Sequence, residues 1–281
     1  MKYKKGGENV EFYGVLGEKL SHSLSPKIND LIFKSIGVNG GYKLFEVEKN
    51  NLGKFTEGLK ILKIKGSNVT IPYKEEVMKY LDEVSLEGKR IGAINTISLI
   101  EGKLYGDNTD YYGFGYMLEY HNIKMHNKIA VILGNGGACR GALYYLLDNG
   151  IKHVYVVSRT PEKANIFKEE RVSLISYSEL IELKGDILIN STPVGMYPKV
   201  EGCPVTDDVI PNFDTIVDLI YNPEVTTLLG KGKELGKVTV GGLYMLVGQA
   251  IKAQEIWQGI KIDKQIMNEI YNEIGKGFKG V

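Results

Sequence analysis

Apolar and polar positions along the first hundred residues alternate in a way that predicts short strands separated by amphipathic helices. In chain order, the predicted elements are strand 11–17, helix 25–37, strand 42–48, helix 52–62, strand 66–71 and helix 74–81. The first helix carries a start signal, with Ser25 as the predicted N-cap and Pro26 at the first helical position. Strands that alternate with helices favour a mostly parallel sheet covered by helices.

A second α/β unit begins near residue 128, where a buried strand leads through a glycine-rich turn into a helix. Its further strands are predicted in "HVYVVSRT", "DILINST", "TIVDLI" and "VTVGG". Two helices follow, in "GGLYMLVGQAIKAQEIWQG" and "DKQIMNEIYNEI", and we expect them to return to the first unit because the second is already complete. At 281 residues the chain is therefore predicted to be an α/β protein of two domains.

The turn "GNGGACRG" lies between a predicted strand and a predicted helix, which is the setting of a dinucleotide-binding turn. Gly134 suits the tight turn, while Gly136 and Gly137 let the backbone approach a pyrophosphate. The helix that follows offers unpaired N–H groups to the phosphates. Cys139 replaces the third glycine of the usual pattern, and we expect it to be a small buried side chain.

The residues after the next strand indicate which dinucleotide binds. NAD sites usually carry an acidic residue there, which holds the ribose 2′-hydroxyl. This chain has "SRTPEK" instead, with Ser158, Arg159, Thr160 and Lys163. Because a guanidinium can pair with a 2′-phosphate through charge-assisted hydrogen bonds, the sequence favours NADP.

Composition and charge exclude several classes of function. Hydrophobic residues make up 43% of the chain, charged residues 25%, and the net charge is +1 with both signs mixed, which argues against a nucleic-acid or anionic-membrane surface. The two cysteines, Cys139 and Cys203, lie far apart without any Cys/His spacing of a zinc site, so neither a metal site nor a disulfide framework is expected. With no apolar run of membrane-spanning length and no secretory signal, the protein is predicted to be cytoplasmic.

Polar residues cluster where strands of the first unit end, at the edge where open α/β sheets bind ligands. The clusters are Ser21, Ser23 and Ser25; Asn68, Thr70 and Lys74; Asn95 and Thr96; and Asp107, Asn108, Thr109 and Asp110. Hydroxyls, amides, carboxylates and one amine form a set suited to a polyhydroxylated acid. The chemistry of these residues alone does not choose between Asp107 and Asp110.

The segments "SHSLSP", "NVTIPYKEE", "GAINTI", "GDNTD", "GNGGACRG", "NSTPVGM", "DLIYNP" and "GGLYMLVGQA" follow one another from about Gly14 to beyond Trp257. Together they resemble the shikimate dehydrogenase family. The resemblance implies an oxidoreductase of the shikimate pathway that reversibly reduces 3-dehydroshikimate to shikimate with NADPH, in aromatic amino-acid biosynthesis. Two departures are Tyr111, where the family often has glycine, and Ser158, where it often has asparagine.

The resemblance also assigns domains and site residues. It implies a substrate-binding domain of residues 1–110 and 242–281 and a Rossmann-like NADP-binding domain of residues 111–241. Lys74 and Asp110 would be the catalytic pair. Substrate contacts would come from Ser23, Ser25, Asn68, Thr70, Lys74, Asn95, Asp110, Tyr221 and Gln249. Cofactor contacts would come from Gly134, Asn135, Gly136, Gly137, Ala138, Ser158, Arg159, Thr160, Lys163, Thr192, Pro193, Met196, Leu219, Gly242 and Met245. The protein is expected to be a monomer or a homodimer.

The role of Lys74 stays open at this point. An ordinary lysine has a pKa of about 10.4, which is too high for an efficient base at neutral pH. Desolvation in a closed cleft between the domains would lower that pKa, whereas a neighbouring Asp110 carboxylate would oppose the fall. The sequence allows Lys74 to act as the acid and base, or mainly to position the substrate.

Two alternative functions remain. One is a quinate/shikimate dehydrogenase with broader substrate use or with NAD, against which the missing acidic residue argues. The other is a non-catalytic NADP-binding regulator, which would be expected to have lost part of the polar set that is intact here.

Overall fold

The computed structural model describes residues 10–21, 23–161 and 169–277, which fold into two α/β units. The first unit comprises the described residues up to Gly113 and from Val247 onward, and the second comprises Phe114–Leu246. The strands are β1 Glu11–Gly17, β2 Gly40–Glu46, β3 Gly66–Val69, β4 Glu83–Val84, β5 Thr96–Ile100, β6 Lys103–Asp107, β7 Ile129–Leu133, β8 His153–Val157, β9 Val172–Ile175, β10 Ile187–Asn190, β11 Thr215–Asp218 and β12 Val238–Gly241. The α-helices are α1 Ser25–Ile36, α2 Leu52–Ile61, α3 Leu86–Ile91, α4 Asp110–Tyr120, α5 Gly137–Asp148, α6 Tyr177–Leu180, α7 Thr227–Glu234, α8 Leu243–Gln258 and α9 Lys264–Lys276, and short 3₁₀ helices span Lys49–Asn51, Glu76–Tyr80 and Ile210–Asn212.

The sheet of the first unit has the strand order β2-β1-β3-β5-β6-β4. Strands β2, β1 and β3 are parallel, as predicted, but β5 runs antiparallel to both β3 and β6. The β5–β6 connection is a two-residue turn in which Glu101 and Gly102 both have positive φ, at 49° and 80°. Such a turn matches the twist of a tight hairpin. The hairpin makes this sheet mixed rather than fully parallel.

The C-terminal helices pack on the first unit, which confirms the predicted return of the chain. The Trp257 ring of α8 packs against Tyr13 of β1, with ring centroids 5.0 Å apart, and its indole N–H donates to the Ile97 carbonyl at 3.0 Å. Gly66 on β3 leaves the space that the Trp257 ring fills. Helices α1 and α9 also pack together. Residues at opposite ends of the chain therefore share one core.

The sheet of the second unit has the order β12-β11-β10-β7-β8-β9, with every strand parallel. This is the doubly wound order of dinucleotide-binding folds, which reverses direction between β7 and β10. The central strands are continuously apolar because helices cover both faces of a parallel sheet. Ala130 to Leu133 in β7 and Ile187 to Asn190 in β10 are buried. The predicted α/β fold with a Rossmann-like second unit is confirmed.

The start of α1 differs from the prediction. Leu24 occupies the N-cap position, no side chain caps the helix, and Ser25 is the first helical residue. The prediction of Ser25 as N-cap is wrong because Ser25 is itself helical, and its backbone N–H donates to Ser23 Oγ at 3.3 Å. Pro26 does lie in the first turn, where its missing N–H costs nothing.

Within the described ranges, no helix combines the length and the apolar character needed to cross a membrane.

Candidate active site

Lys74 and Asp110 form an ion pair in the first unit. Lys74 follows β3 in the segment that also holds Pro72, and Asp110 is the first residue of α4. The Lys74 Nζ donates to Asp110 Oδ2 at 2.6 Å, and the two side chains are only 17% and 10% exposed. Partial burial strengthens the attraction between the charges relative to a surface pair. The two residues that the resemblance assigns to catalysis are therefore in direct contact.

Asn95 holds the other oxygen of the aspartate. Its Nδ2 donates to Asp110 Oδ1 at 2.8 Å, while its Oδ1 accepts the Thr109 backbone N–H at 2.7 Å. The hydroxyls of Thr96 and Thr109 also lie 3.1 Å from Asn95 Oδ1. Since Asn95 is 2% exposed, these bonds form away from water and fix the amide orientation. Asp110 is thus oriented from both sides.

The sheet register explains why these residues meet. Asn68 on β3 pairs with Thr96 at the start of β5, and Thr96 pairs with Asp107 at the end of β6. Because β5 is antiparallel to its neighbours, its beginning lies at the same edge as the ends of β3 and β6. The residues just outside these pairs, Asn95 and Asp110, consequently converge at one edge.

Asp107 has neighbours other than Lys74. Burial raises the pKa of its carboxyl, a hydrogen bond from Ser85 lowers it, and Glu87 raises it further. Lys74 bonds Asp110 and not Asp107. Of the two aspartates, Asp110 is therefore the one that contacts Lys74.

The other predicted substrate residues are distributed over both units. In the first unit, the Ser25 backbone N–H donates to Ser23 Oγ at 3.3 Å, and Asn68 Nδ2 donates to Thr96 Oγ1 at 3.1 Å. Thr70, after β3, and Gln249, on α8, are half-buried. Tyr221 belongs to the second unit, where burial raises the pKa of its phenol.

Tyr42 is a residue of this network that sequence reasoning missed. It lies on β2, and its hydroxyl donates to Asn68 Oδ1 at 2.6 Å. As one of eighteen tyrosines, in a segment without a motif, it carried no signal in the sequence. Only the strand pairing brings it to Asn68.

The glycine-rich turn has the geometry that a dinucleotide phosphate requires. Gly134 has φ of +93°, and a Cβ there would press on the side chains of Ser191 and Thr192. Gly136 is the N-cap of α5 and contributes no side-chain cap, and a Cβ on it would point into open space. The first-turn N–H groups of α5, at Gly137 and Ala138, are therefore uncapped by side chains and suited to an anion.

The segment after β8 lies next to this turn. Ser158 is buried, and its Oγ accepts the Thr160 N–H at 3.2 Å and approaches Asn135 Nδ2 at 3.5 Å. Arg159 is exposed. Lys163, the remaining residue of the predicted 2′-phosphate contact, lies outside the described residues.

The loop that contains Thr192, Pro193 and Met196 is tied to the end of β10. Asn190 Oδ1 accepts the N–H of Thr192 at 3.0 Å and its hydroxyl at 2.7 Å. Asn190 Nδ2 donates to Asp218 Oδ1 at 3.0 Å. Sequence reasoning assigned the loop to the cofactor but missed the two buried residues that anchor it. Their signal was a polar residue at the end of each of two apolar strands.

Asp218 gives a pH-dependent prediction. Burial raises the pKa of this carboxyl to about 6, against hydrogen bonds from Thr226, Ile220 and Asn190. An unfolded aspartate has a pKa of about 3.9. The folded state therefore holds the proton more tightly, so this contribution to stability is complete below about pH 4 and is lost as pH rises to about 6.

We expect the unfolding free energy of the parent protein to fall by about 2–3 kcal/mol relative to Asp218→Asn between pH 4 and pH 7. Asparagine keeps the shape of the side chain but does not titrate. Denaturant unfolding followed by circular dichroism at both pH values measures the difference, and a gap independent of pH would contradict the titration of Asp218.

The last predicted cofactor residues lie where β11 and β12 end. Leu219 follows β11 and is half-buried, and Gly242 N–H donates to the Ile220 carbonyl at 3.0 Å. Met245, in the first turn of α8, is 7% exposed. Gly242 packs so closely on the Leu219 backbone that a Cβ would overlap its carbonyl group.

Among the described residues, no group of three or more His, Cys, Asp or Glu side chains could hold a metal ion. Cys139 is fully buried, as predicted, and burial raises the pKa of its thiol to about 12.

Comparison with known proteins points to one family. The family model of the shikimate dehydrogenase substrate binding domain matches residues 15–97. The chain is 55% identical over 270 residues to a shikimate dehydrogenase (NADP(+)) of Clostridium beijerinckii, an alignment that covers 96% of this chain and 100% of the relative. Its sequence is 51% identical to that of shikimate dehydrogenase 1 from Peptoclostridium difficile. The crystal structure of that protein superimposes with a TM-score of 0.88, covering 96% of this chain and 100% of that one. A Thermus thermophilus shikimate 5-dehydrogenase, solved with NADP(H) and shikimate, is 32% identical with a TM-score of 0.85, covering 94% and 99% of the two chains.

Proposed function

Because this chain belongs to the shikimate dehydrogenase family, we propose that it reduces 3-dehydroshikimate to shikimate with NADPH and catalyses the reverse reaction with NADP. The observation that carries the proposal is the largely buried Lys74–Asp110 pair. Its Nζ–Oδ2 distance is 2.6 Å, and amide and hydroxyl side chains surround it at the edge of the sheet. The relatives' activities support the same reaction.

Reduction of a ketone to an alcohol adds a hydride to the carbon and a proton to the oxygen. NADPH, when bound, supplies the hydride. We assign the proton to Nζ of Lys74, which donates it to the forming alkoxide and accepts it in the reverse direction. Asp110 holds the amine in place and balances its charge, and Asn95 holds Asp110. Lys74 and Asp110 thus act as one unit, in which positioning and proton transfer depend on the same contact.

The first unit is assigned to the substrate, to which Tyr221 of the second unit adds one contact, and the second unit is assigned to the cofactor. Ser23 and Ser25 are assigned to the substrate carboxylate, to which two neighbouring hydroxyls can donate a pair of hydrogen bonds. The substrate hydroxyls are assigned to Asn68, Thr70, Asn95, Asp110, Tyr221 and Gln249. All of these side chains carry donors or acceptors.

The second unit fits NADP by the shape of its turn. The open space beside Gly136 and the uncapped first turn of α5 leave room and N–H groups for a pyrophosphate. Arg159 is exposed directly after Ser158 and Val157, at the end of β8, where the 2′-phosphate of NADP is expected. Thr192 and its loop, together with Leu219, Gly242 and Met245, are assigned to the rest of the cofactor.

Replacing Arg159 tests the choice between NADP and NAD. We expect Arg159→Ala to weaken NADP binding about 10- to 100-fold, because a charge-assisted hydrogen bond contributes about 1.5–3 kcal/mol. NAD lacks the 2′-phosphate, so its affinity serves as the internal control and should stay within a factor of two. Calorimetric titration of both cofactors measures the effect. Equal losses for NAD and NADP would show that Arg159 does not read the phosphate.

The activity itself is tested by following reduced nicotinamide by absorbance in four mixtures: shikimate or quinate, each with NADP or NAD. Reduction confined to shikimate and NADP is the expected result. Comparable rates with quinate or NAD would move the protein to the broader quinate/shikimate dehydrogenases. If a folded protein that binds NADP reduced the cofactor in none of the four mixtures, the result would favour a regulator and overturn the enzyme proposal.

We further propose a cytoplasmic location and a monomeric or homodimeric state. Cys139 and Cys203 are both free thiols, as expected in a reducing compartment. Sedimentation equilibrium distinguishes the two assembly states.

A further inference from the structure

Tyr42 reaches across a whole strand to touch the proposed substrate site. It lies on β2, and Asn68 lies on β3, while β1 runs between them and pairs with both. Tyr42 pairs with Tyr13 on β1, and Asn68 pairs with Val15, two residues further along. The 2.6 Å bond from the Tyr42 hydroxyl to Asn68 Oδ1 therefore passes diagonally over β1. No local contact between neighbouring strands could form it.

The bond determines which atoms of Asn68 are available. Asn68 Nδ2 donates to the Asn95 carbonyl at 3.3 Å and to Thr96 Oγ1 at 3.1 Å, which uses both of its hydrogens. A flipped amide would set Oδ1 against the Asn95 carbonyl oxygen, so the orientation follows from the chemistry of the neighbours. Burial raises the pKa of the Tyr42 phenol, which keeps its proton and donates it. One lone pair of Asn68 Oδ1 is left to accept a hydroxyl.

The bond between Tyr42 and Asn68 belongs to a longer network of hydrogen bonds. Through Asn68, Thr96 and Asn95 the same chain of bonds continues to Asp110.

We propose that Tyr42 is a positioning residue for substrate binding, which fixes the orientation of the Asn68 amide for the bound acid. The proposal rests on the proposed function, since the ligand is shikimate or 3-dehydroshikimate. Tyr42 acts through Asn68, which is assigned as a ground-state contact, so its loss should affect KM more than kcat.

We expect Tyr42→Phe to raise the KM for shikimate and its calorimetric Kd about 10-fold, because an unpaired buried acceptor is left on Asn68. kcat should fall less than about 3-fold, and the Kd for NADP should not change. In an Asn68→Ala background, the further effect of Tyr42→Phe should be less than about 2-fold, since the partner is already gone.

Tyr13→Phe is the matched control. Tyr13 is the register partner of Tyr42, and its hydroxyl bonds Glu11 Oε2 at 2.7 Å and Gln258 Nε2 at 2.8 Å, outside the network. It should lower the melting temperature as Tyr42→Phe does but leave shikimate binding unchanged. Equal losses of shikimate affinity in both variants, or additive losses of Tyr42→Phe and Asn68→Ala, would overturn the proposal.

The outcomes separate this proposal from the proposed function. Shikimate binding without turnover in the parent protein would overturn the activity, and the Kd comparison would still decide the role of Tyr42. An absence of shikimate binding in the parent protein would overturn both.

Discussion

Lys74→Ala is expected to lower kcat for shikimate oxidation about 1,000-fold while leaving the Kd for NADP within a factor of two. The magnitude is that of a positioned proton donor and acceptor, which contributes about 10²- to 10⁴-fold. The substitution removes Nζ and leaves the Asp110 carboxylate, which is 10% exposed, without its cation. Steady-state kinetics beside calorimetric titration of NADP measures both quantities.

Lys60→Ala is the matched control for this prediction. Lys60 is also a partly buried lysine of the first unit, 27% exposed and paired with Asp82 at 3.1 Å, but it lies on α2 away from the Lys74–Asp110 pair. It should cost a little stability and no activity. An unchanged turnover number in Lys74→Ala would contradict the assignment of Lys74 as the proton donor and acceptor. A pair of equal losses would assign the effect to ion-pair removal in general.

Gly242→Ala is expected to destabilise the protein by about 3 kcal/mol and to lower the melting temperature on the order of 10 °C. A Cβ at this position would lie less than 3.0 Å from the carbonyl carbon and oxygen of Leu219. Those are backbone atoms at the end of β11, so no side-chain rotation can relieve the overlap. The Gly242 N–H bond to the Ile220 carbonyl, at 3.0 Å, would be strained at the same time. Calorimetric melting measures the loss.

Gly230→Ala is the same substitution, but it is expected to raise the stability of the protein rather than lower it. Gly230 lies inside α7, where an added Cβ meets nothing within 4 Å. Alanine should stabilise the helix by about 0.5–1 kcal/mol, because glycine loses more conformational entropy on folding. If the two variants melted alike, the close packing of Gly242 on Leu219 would not be what constrains that position.

The elements that can be read from the sequence are those with a strong local pattern. Strands β1, β7 and β8 and helices α5, α8 and α9 follow from apolar periodicity and from breaker residues. The glycine turn is visible because Gly134 has a positive φ, a backbone geometry that few other residues adopt. The motif resemblance assigns Lys74 and Asp110 to one catalytic pair, and the two side chains are in contact in the structure. Their catalytic roles stay predictions.

The β5–β6 hairpin and the buried supports of the site could not be predicted in this way. The first strands up to β3 are parallel, and the local sequence pattern does not predict that β5 is antiparallel to β3. That reversal is what carries Asn95 to the aspartate. Tyr42 bonds Asn68, 26 positions away along the chain, and Asn190 bonds Asp218, 28 positions away, and both bonds depend on strand register. Register is a property of the assembled sheet, not of a sequence window.

The first unit is built from the chain segments that precede and follow the second unit in the sequence. The order of synthesis therefore imposes an order on assembly. Residues 114–246 are continuous, so the ribosome delivers a complete second unit before it delivers Trp257 or Gln258. Until then, the Tyr13 face of β1 lacks the α8 side chains that cover it, although the strands of that sheet were made first. Chains usually fold domain by domain from the N-terminus during translation. Here the unit that starts first finishes last, and its half-covered sheet is the surface that a nascent-chain chaperone would meet.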